Sequence, residues 1–174
     1  MSLAALPGMK ERTVYISGFS KAFAMTGWRL GYACAPAPIM KQMLKLHQFA
    51  LMCAPTVSQY AAIEAMESGD EDVEMMRADY DARRRLIVSE LQRIGLPCFE
   101  PEGAFYVFPS IAATGLSSEE FCTRLLKEPH VAVVPGTAFG DCGEGFVRIS
   151  YCYSIAHITE ALKRIEQFVK GLVV

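Results

Sequence analysis

Two cationic side chains, Lys21 and Arg29, stand eight residues apart in the run Gly18-Phe19-Ser20-Lys21-Ala22-Phe23-Ala24-Met25-Thr26-Gly27-Trp28-Arg29-Leu30-Gly31. A lysine amine held on a rigid turn can condense with an aldehyde to form a Schiff base. An arginine at a fixed distance can grip a phosphate through its planar fork of N–H donors. A ligand that carries both an aldehyde and a phosphate needs both partners. Most lysines are solvated surface charges, but the neighbours of Lys21 are Ala, Phe, Met, Gly and Trp rather than a polar face. A cation in apolar surroundings is costly unless it is neutralised or paired, so Lys21 is expected to have a function.

Arg148 is the third candidate. It lies in the apolar run Phe146-Val147-Arg148-Ile149-Ser150-Tyr151, where strand alternation turns it away from Val147 and Ile149. An arginine on a half-buried strand needs an anion or a carbonyl partner. An internal ion pair with a carboxylate and a bound anionic ligand both satisfy that need. Phe105 and Tyr106 can pack on a ligand or in a core. Residues 136–145 read as a glycine-rich loop, and its part at 140–145 has no lysine and no following helix, so it is not a phosphate loop. His47, His130 and His157 are isolated from one another and from the cysteines, so no metal site is expected. The six cysteines (34, 53, 98, 122, 142, 152) form no CxxC pair and read as buried thiols in a reducing compartment.

The elements that must hold these residues are legible from pattern. Residues 13–18 and 29–35 read as strands with the lysine turn between them. Pro36 and Pro38 open a helix over about 38–50, with Ile39, Met43, Leu44 and His47 as its stripe. Thr56 is placed to cap a helix through about Met66, and Ser68-Gly69-Asp70 ends it. A long helix runs from Asp70 to about Ile94, with Val73, Met76, Tyr80, Ile87, Leu91 and Ile94 as its apolar stripe. Arg83, Arg84 and Arg85 form a solvated or salt-bridged face, and Gly95-Leu96-Pro97 stops the helix. A smaller α/β unit follows: strands at 105–108, 131–134 and 146–151, a helix capped near Ser117 and a terminal helix capped by Ser154. Its last stripe is Ile155, Ile158, Leu162, Ile165 and Val169.

The chain has 174 residues, 52% of them hydrophobic and 21% charged, a core-forming composition. Its net charge of −2 excludes a general affinity for nucleic acid. No apolar run is long enough to span a membrane, and no charged-then-apolar leader opens the chain. Residues 1–60 hold six basic residues and one acid, Glu11, a local excess that suits an anionic ligand.

The Gly18–Gly31 run resembles, without a gap, the lysine signature of the class I/II aminotransferases, which are fold-type I pyridoxal-phosphate enzymes. Three more segments resemble the same family in the same order: 101–109, 133–140 and 146–151. The resemblance implies that Lys21 is the Schiff-base lysine and that Arg29 binds the cofactor phosphate. It implies that Arg148 holds the α-carboxylate of the substrate. Many members carry a hydroxyl residue where Gly18 stands, and Ser17 or Ser20 is the candidate replacement as a phosphate donor.

The implied fold is α/β: part of the large domain of a fold-type I pyridoxal-phosphate transferase, followed by the small C-terminal domain. Residues 1–69 would be the remnant of the cofactor-binding large domain. Residues 70–174 would be the long connecting helix and the small domain. Family subunits are about twice this length, so the sequence is expected to be a C-terminal half that is inactive or nearly so by itself. The implied function of the whole protein is transfer of an amino group between an amino acid and a 2-oxo acid. The alternatives are another fold-type I reaction, such as β-elimination, or a non-catalytic truncated domain. A cytoplasmic homodimer is expected.

Overall fold

The two apolar runs that flank Lys21 form a hairpin. In the computed structural model, which describes residues 2–172, β1 (Tyr15–Gly18) pairs antiparallel with β2 (Gly31–Cys34) from Tyr15↔Cys34 to Gly18↔Gly31. Met1, Val173 and Val174, the outer ends of the two expected domains, lie outside the described residues. By contacts the chain divides into units of residues 1–76 and 77–174.

In the first unit β2 is shorter than the expected strand 29–35. The chain makes a 3-10 turn over Thr26–Trp28, and Arg29 then takes a left-handed backbone with φ 52°. Between the strands lies α1 (Phe19–Ala22), a single helical turn. The hairpin closes onto it through Phe19 N–H to the Leu30 carbonyl at 3.2 Å. Phe19, Met25 and Ala62 form a small buried cluster, with Phe23, Leu30, Ala61 and Ala65 packed against it.

Two helices complete this unit. The first, α2 (Ala37–Ala50), has no fully buried residue: of the expected stripe Met43 is half-buried, while Ile39, Leu44 and His47 are exposed. The second, α3 (Thr56–Ser68), places Pro55 at its cap, so Thr56 is the first helical residue rather than the cap. It turns its small face inward. Ser58 and Ala62 are buried, and the Ser58 hydroxyl donates to the Trp28 carbonyl at 2.8 Å. Val57, Tyr60, Ile63 and Met66 all point outward, each more than half exposed. Ile16 on β1 is 73% exposed.

The unit boundary falls within α4 (Asp70–Ile94), which has the expected limits. Its end shows why a glycine follows. Gly95 takes φ 91°, its N–H reaches the Gln92 carbonyl at 3.1 Å, and Leu96 N–H reaches the Leu91 carbonyl at 2.9 Å. This is the paired pattern of a left-handed helix stop, with Leu96 buried beside it. The arginine run is salt-bridged: Arg83 to Asp79, Arg84 to Asp81 and Glu100, and Arg85 to Asp81.

The second unit holds a three-stranded antiparallel sheet in the order β3-β5-β4, where β3 is Tyr106–Val107, β4 is Val134–Pro135 and β5 is Val147–Ser150. The expected strand at 131–134 is thus confined to its last residue and Pro135. Val131 N–H is committed to the Leu125 carbonyl at 3.0 Å, and His130 takes a positive φ of 59°. These two features hold residues 131–133 against the helix end. The β4–β5 ladder comprises Val134↔Arg148 and Pro135↔Val147. The next residues in register, Val133 opposite Ile149 and Ala132 opposite Ser150, are not part of it.

The sheet carries α5 (Ser118–Lys127) and α6 (Ile155–Leu172). Both expected caps form: Glu120 N–H donates to the Ser117 hydroxyl at 3.2 Å, and His157 N–H to the Ser154 hydroxyl at 3.3 Å. The core joins Ile87 and Leu91 of α4, Phe121 and Leu125 of α5, Tyr151, and Ile165 of α6. Ile155 departs from the expected α6 stripe and is exposed, because it stands in the first turn ahead of the packed region. The cysteine expectation is corrected as well. All six are free, but only Cys122 is buried, Cys98 is half-buried, and Cys34, Cys53, Cys142 and Cys152 are exposed. Burial, with Glu119 nearby, pushes the Cys122 thiol up to about 11.

Candidate functional site

The hairpin places three of the four candidate residues at its closing end. Ser20 and Lys21 lie on the single turn of α1 that follows β1, and Arg29 is two residues before β2. Lys21 is exposed rather than enclosed by its apolar neighbours. Phe19 and Met25 enter the small core, and the one-turn helix directs the residue two positions after Phe19 away from it. Ser20 is half-buried and Arg29 is exposed. The left-handed backbone at Arg29 folds its side chain back over the turn, where Nη1 donates to the Thr26 carbonyl at 3.0 Å. Ala24 has φ 52° as well, so two non-glycine residues between these strands hold a costly backbone conformation. Gly18 is extended and makes no side-chain cap.

Arg148 belongs to the second unit and has a different environment. Its guanidinium carbon lies 4.4 Å from the centre of the Tyr106 ring and 4.3 Å from that of Phe139. The internal carboxylate partner left open by the sequence is not found. Among the described residues no ion pair involves Arg148, and aromatic faces take that place. Tyr106 contributes from β3, where it pairs with Ser150. Phe105 stacks on Tyr80 with ring centres 5.9 Å apart and touches Tyr106 at 4.7 Å.

Phe139 ends a short 3-10 turn, Gly136–Phe139, within the glycine-rich stretch. Pattern reasoning misses it because it lies outside any periodic element. That stretch is tied down at both ends. Gly136 N–H donates to the Phe146 carbonyl at 2.9 Å. The buried Ser118 hydroxyl accepts from Gly145 N–H at 2.9 Å, and the Glu144 carboxylate accepts from Ser118 N–H at 2.8 Å. Gly136 and Gly143 touch backbone to backbone, so a Cβ on either would overlap the carbonyl oxygen of the other.

Beside Arg148 a cavity of about 480 Å³ opens where β4 and β5 part. Val133, Ile149, Ile158 and Leu162 line it, with His130 and His157 among the polar residues. Among the described residues no cluster of His, Cys, Asp or Glu is arranged to hold a metal ion.

Comparison with known proteins identifies the family. Residues 3–165 match the family described as aminotransferase class I and II. YugH of Bacillus subtilis (strain 168), provisionally named an aminotransferase, is 59% identical over 167 residues, covering 96% of this chain and 43% of that protein. An aspartate aminotransferase of Pyrococcus abyssi is 49% identical over 97% of this chain and 44% of the relative. The crystal structure of an aromatic aminotransferase from Pyrococcus horikoshii OT3 superposes with a TM-score of 0.92 at 49% identity, over 99% of this chain and 47% of that one. The chain thus spans less than half the length of the relatives it matches. It has the fold of part of a fold-type I aminotransferase, and it belongs to the class I and II aminotransferase family.

Proposed function

We propose that the protein carrying this sequence moves an amino group between an amino acid and a 2-oxo acid with pyridoxal phosphate as cofactor. The observation that carries the reading is the shared position of Lys21, Ser20 and Arg29 at one end of the β1–β2 hairpin. The donor set fits this cofactor: an exposed amine suits its aldehyde, and a hydroxyl and a guanidinium suit its phosphate. Residues 1–69 supply the remnant of the cofactor-binding domain, and residues 70–174 the connecting helix and the small domain.

When bound, pyridoxal phosphate supplies an electron-withdrawing ring conjugated to its aldehyde carbon. Lys21 would hold the cofactor through its amine, and that amine, when free, would take the proton from the substrate Cα as general base. Arg29 would neutralise the phosphate, and the Ser20 hydroxyl would donate to it. Arg148 receives the α-carboxylate on its N–H edge, orienting the Cα–H bond for cleavage. The six free cysteines support a cytoplasmic protein. A homodimer accommodates the exposed apolar residues of the first unit. Among the described residues no helix is long and apolar enough to cross a membrane.

Incubation of the chain with pyridoxal phosphate, borohydride reduction and peptide mapping tests the cofactor assignment. A phosphopyridoxyl adduct confined to Lys21 is expected. Adducts scattered over the other lysines, or none, would overturn it for this chain.

A further inference from the structure

The geometry points to Tyr106 and Phe139 as positioning residues for Arg148. This inference rests on the reading of Arg148 as the group that receives a substrate carboxylate. The two rings lie 4.4 and 4.3 Å from the guanidinium carbon. A cation that lies over two aromatic rings at once is held by both, and a displacement that breaks either contact loses that attraction. Its N–H donors lie in its plane, so holding the plane aims the donor edge. A bidentate carboxylate must lie near that same plane. The clamp therefore fixes in advance the orientation in which a carboxylate is received.

Both rings are held independently of Arg148. Tyr106 is fixed by its place opposite Ser150 in the ladder and by contact with Phe105. Phe139 meets the Phe108 ring edge-on at 5.9 Å, and Phe108 stacks on Phe146 at 5.9 Å. The Gly136–Gly143 contact sets where the turn carrying Phe139 must lie. Phe139 remains 49% exposed. An aromatic ring of that exposure, on a braced turn and against a cation, is placed to contact the cation rather than to fill a core.

The test is the NMR signal of the arginine Nε–Hε group in the chain itself, assigned by its loss in Arg148→Lys. Ring currents from the two rings are expected to shift the Arg148 Hε signal upfield of the other arginines. Phe139→Leu and Tyr106→Leu should each undo part of that shift, while Phe139→Tyr and Tyr106→Phe retain it. Titration with succinate, a simple carboxylate probe, should move the Arg148 signal with an affinity about 3- to 20-fold weaker in the leucine variants. The ring-retaining variants should keep the original affinity. Backbone amide spectra verify that each variant folds, and half-exposed Phe139 is the safer site of the two. An unmoved Hε signal in both leucine variants, or equal succinate affinity in them and the parent, would overturn the positioning role. If succinate moves no Arg148 signal even in the parent chain, the carboxylate reading falls and the positioning role with it. The ring-current shifts then still report the stacking, so the two failures are told apart.

Discussion

Arg93 of α4 and Glu166 of α6 are joined by two parallel hydrogen bonds, Nη1 to Oε1 and Nη2 to Oε2, each 2.8 Å long. Lys170 adds a third cationic contact at 2.8 Å. The Arg93 bonds first, then that of Lys170, hold the Glu166 carboxyl well below the usual carboxylate range, at about 2. The ordinary value for a glutamate carboxyl, which stands for the unfolded chain, is 4.5. The depressed value means that the pair contributes stability above the unfolded value and loses it as pH falls from there towards 2. Thermal melting of the parent and Glu166→Gln should show a difference in Tm that is constant above pH 5 and shrinks steadily below it. A difference independent of pH would refute this assignment.

The Gly136–Gly143 contact makes a second expectation sharp. Gly143→Ala forces a methyl group into the carbonyl of Gly136, and overpacking of this kind costs about 1–3 kcal/mol. At Gly171, in the last turn of α6, an added methyl group would meet nothing within 4 Å. Gly171→Ala should therefore change stability by no more than about 0.5 kcal/mol. Denaturant unfolding of both variants gives the comparison, and equal effects would contradict the tight approach.

Packing differs between the two units, and truncation at one site in each should expose this. Leu91 is fully buried in the core shared by α4, α5 and α6, so Leu91→Ala should cost about 2–5 kcal/mol. Leu46 on α2 is 74% exposed, and at dilutions where the chain is monomeric Leu46→Ala should change stability by no more than about 0.5 kcal/mol. Urea midpoints measured by circular dichroism decide between this pattern and a uniform one.

The first unit should also bind a second copy of itself. Phe49 is 96% exposed, and Leu46, Leu51, Met52, Val57 and Tyr60 are all largely exposed nearby in sequence. Apolar surface on this scale favours association. Sedimentation velocity should show the 19.2 kDa chain in a concentration-dependent assembly, and Leu46→Lys with Phe49→Lys should shift it towards monomer. A sharp monomer peak for the parent, with slow amide exchange over residues 13–35, would sink this prediction.

Much of the fold is legible in the sequence because its signals are local. The α4 limits follow from Asp70 and Gly95, and the caps at Ser117 and Ser154 act within three residues of themselves. The strand expected at 131–134 fails because a β-branched run states a propensity, whereas pairing here is decided by a bond from Val131 to Leu125. The inward small face of α3 is hidden for a related reason: periodicity marks large apolar residues as buried, and here the close approach of Trp28 to Ser58 selects the small ones. Lys21, Arg29 and Arg148 are legible as candidates from residue type and motif. The exposure of Lys21 is not, because it depends on how one helical turn is oriented. Phe139 is not legible either, because its partner lies nine residues away across a loop without repeat.

The braces on the glycine-rich stretch bear on how the chain responds to a protease. A cut between Thr137 and Cys142 leaves Gly136 bonded to Phe146 and leaves Gly145 and Glu144 bonded to Ser118. The two pieces should stay docked through β4, β5 and α5, and the nicked protein should migrate as one species until denaturant separates it. The turn that carries Phe139 would lose one of its two chain connections. Limited digestion would thus loosen the Phe139 contact with Arg148 while leaving the sheet that carries the arginine intact.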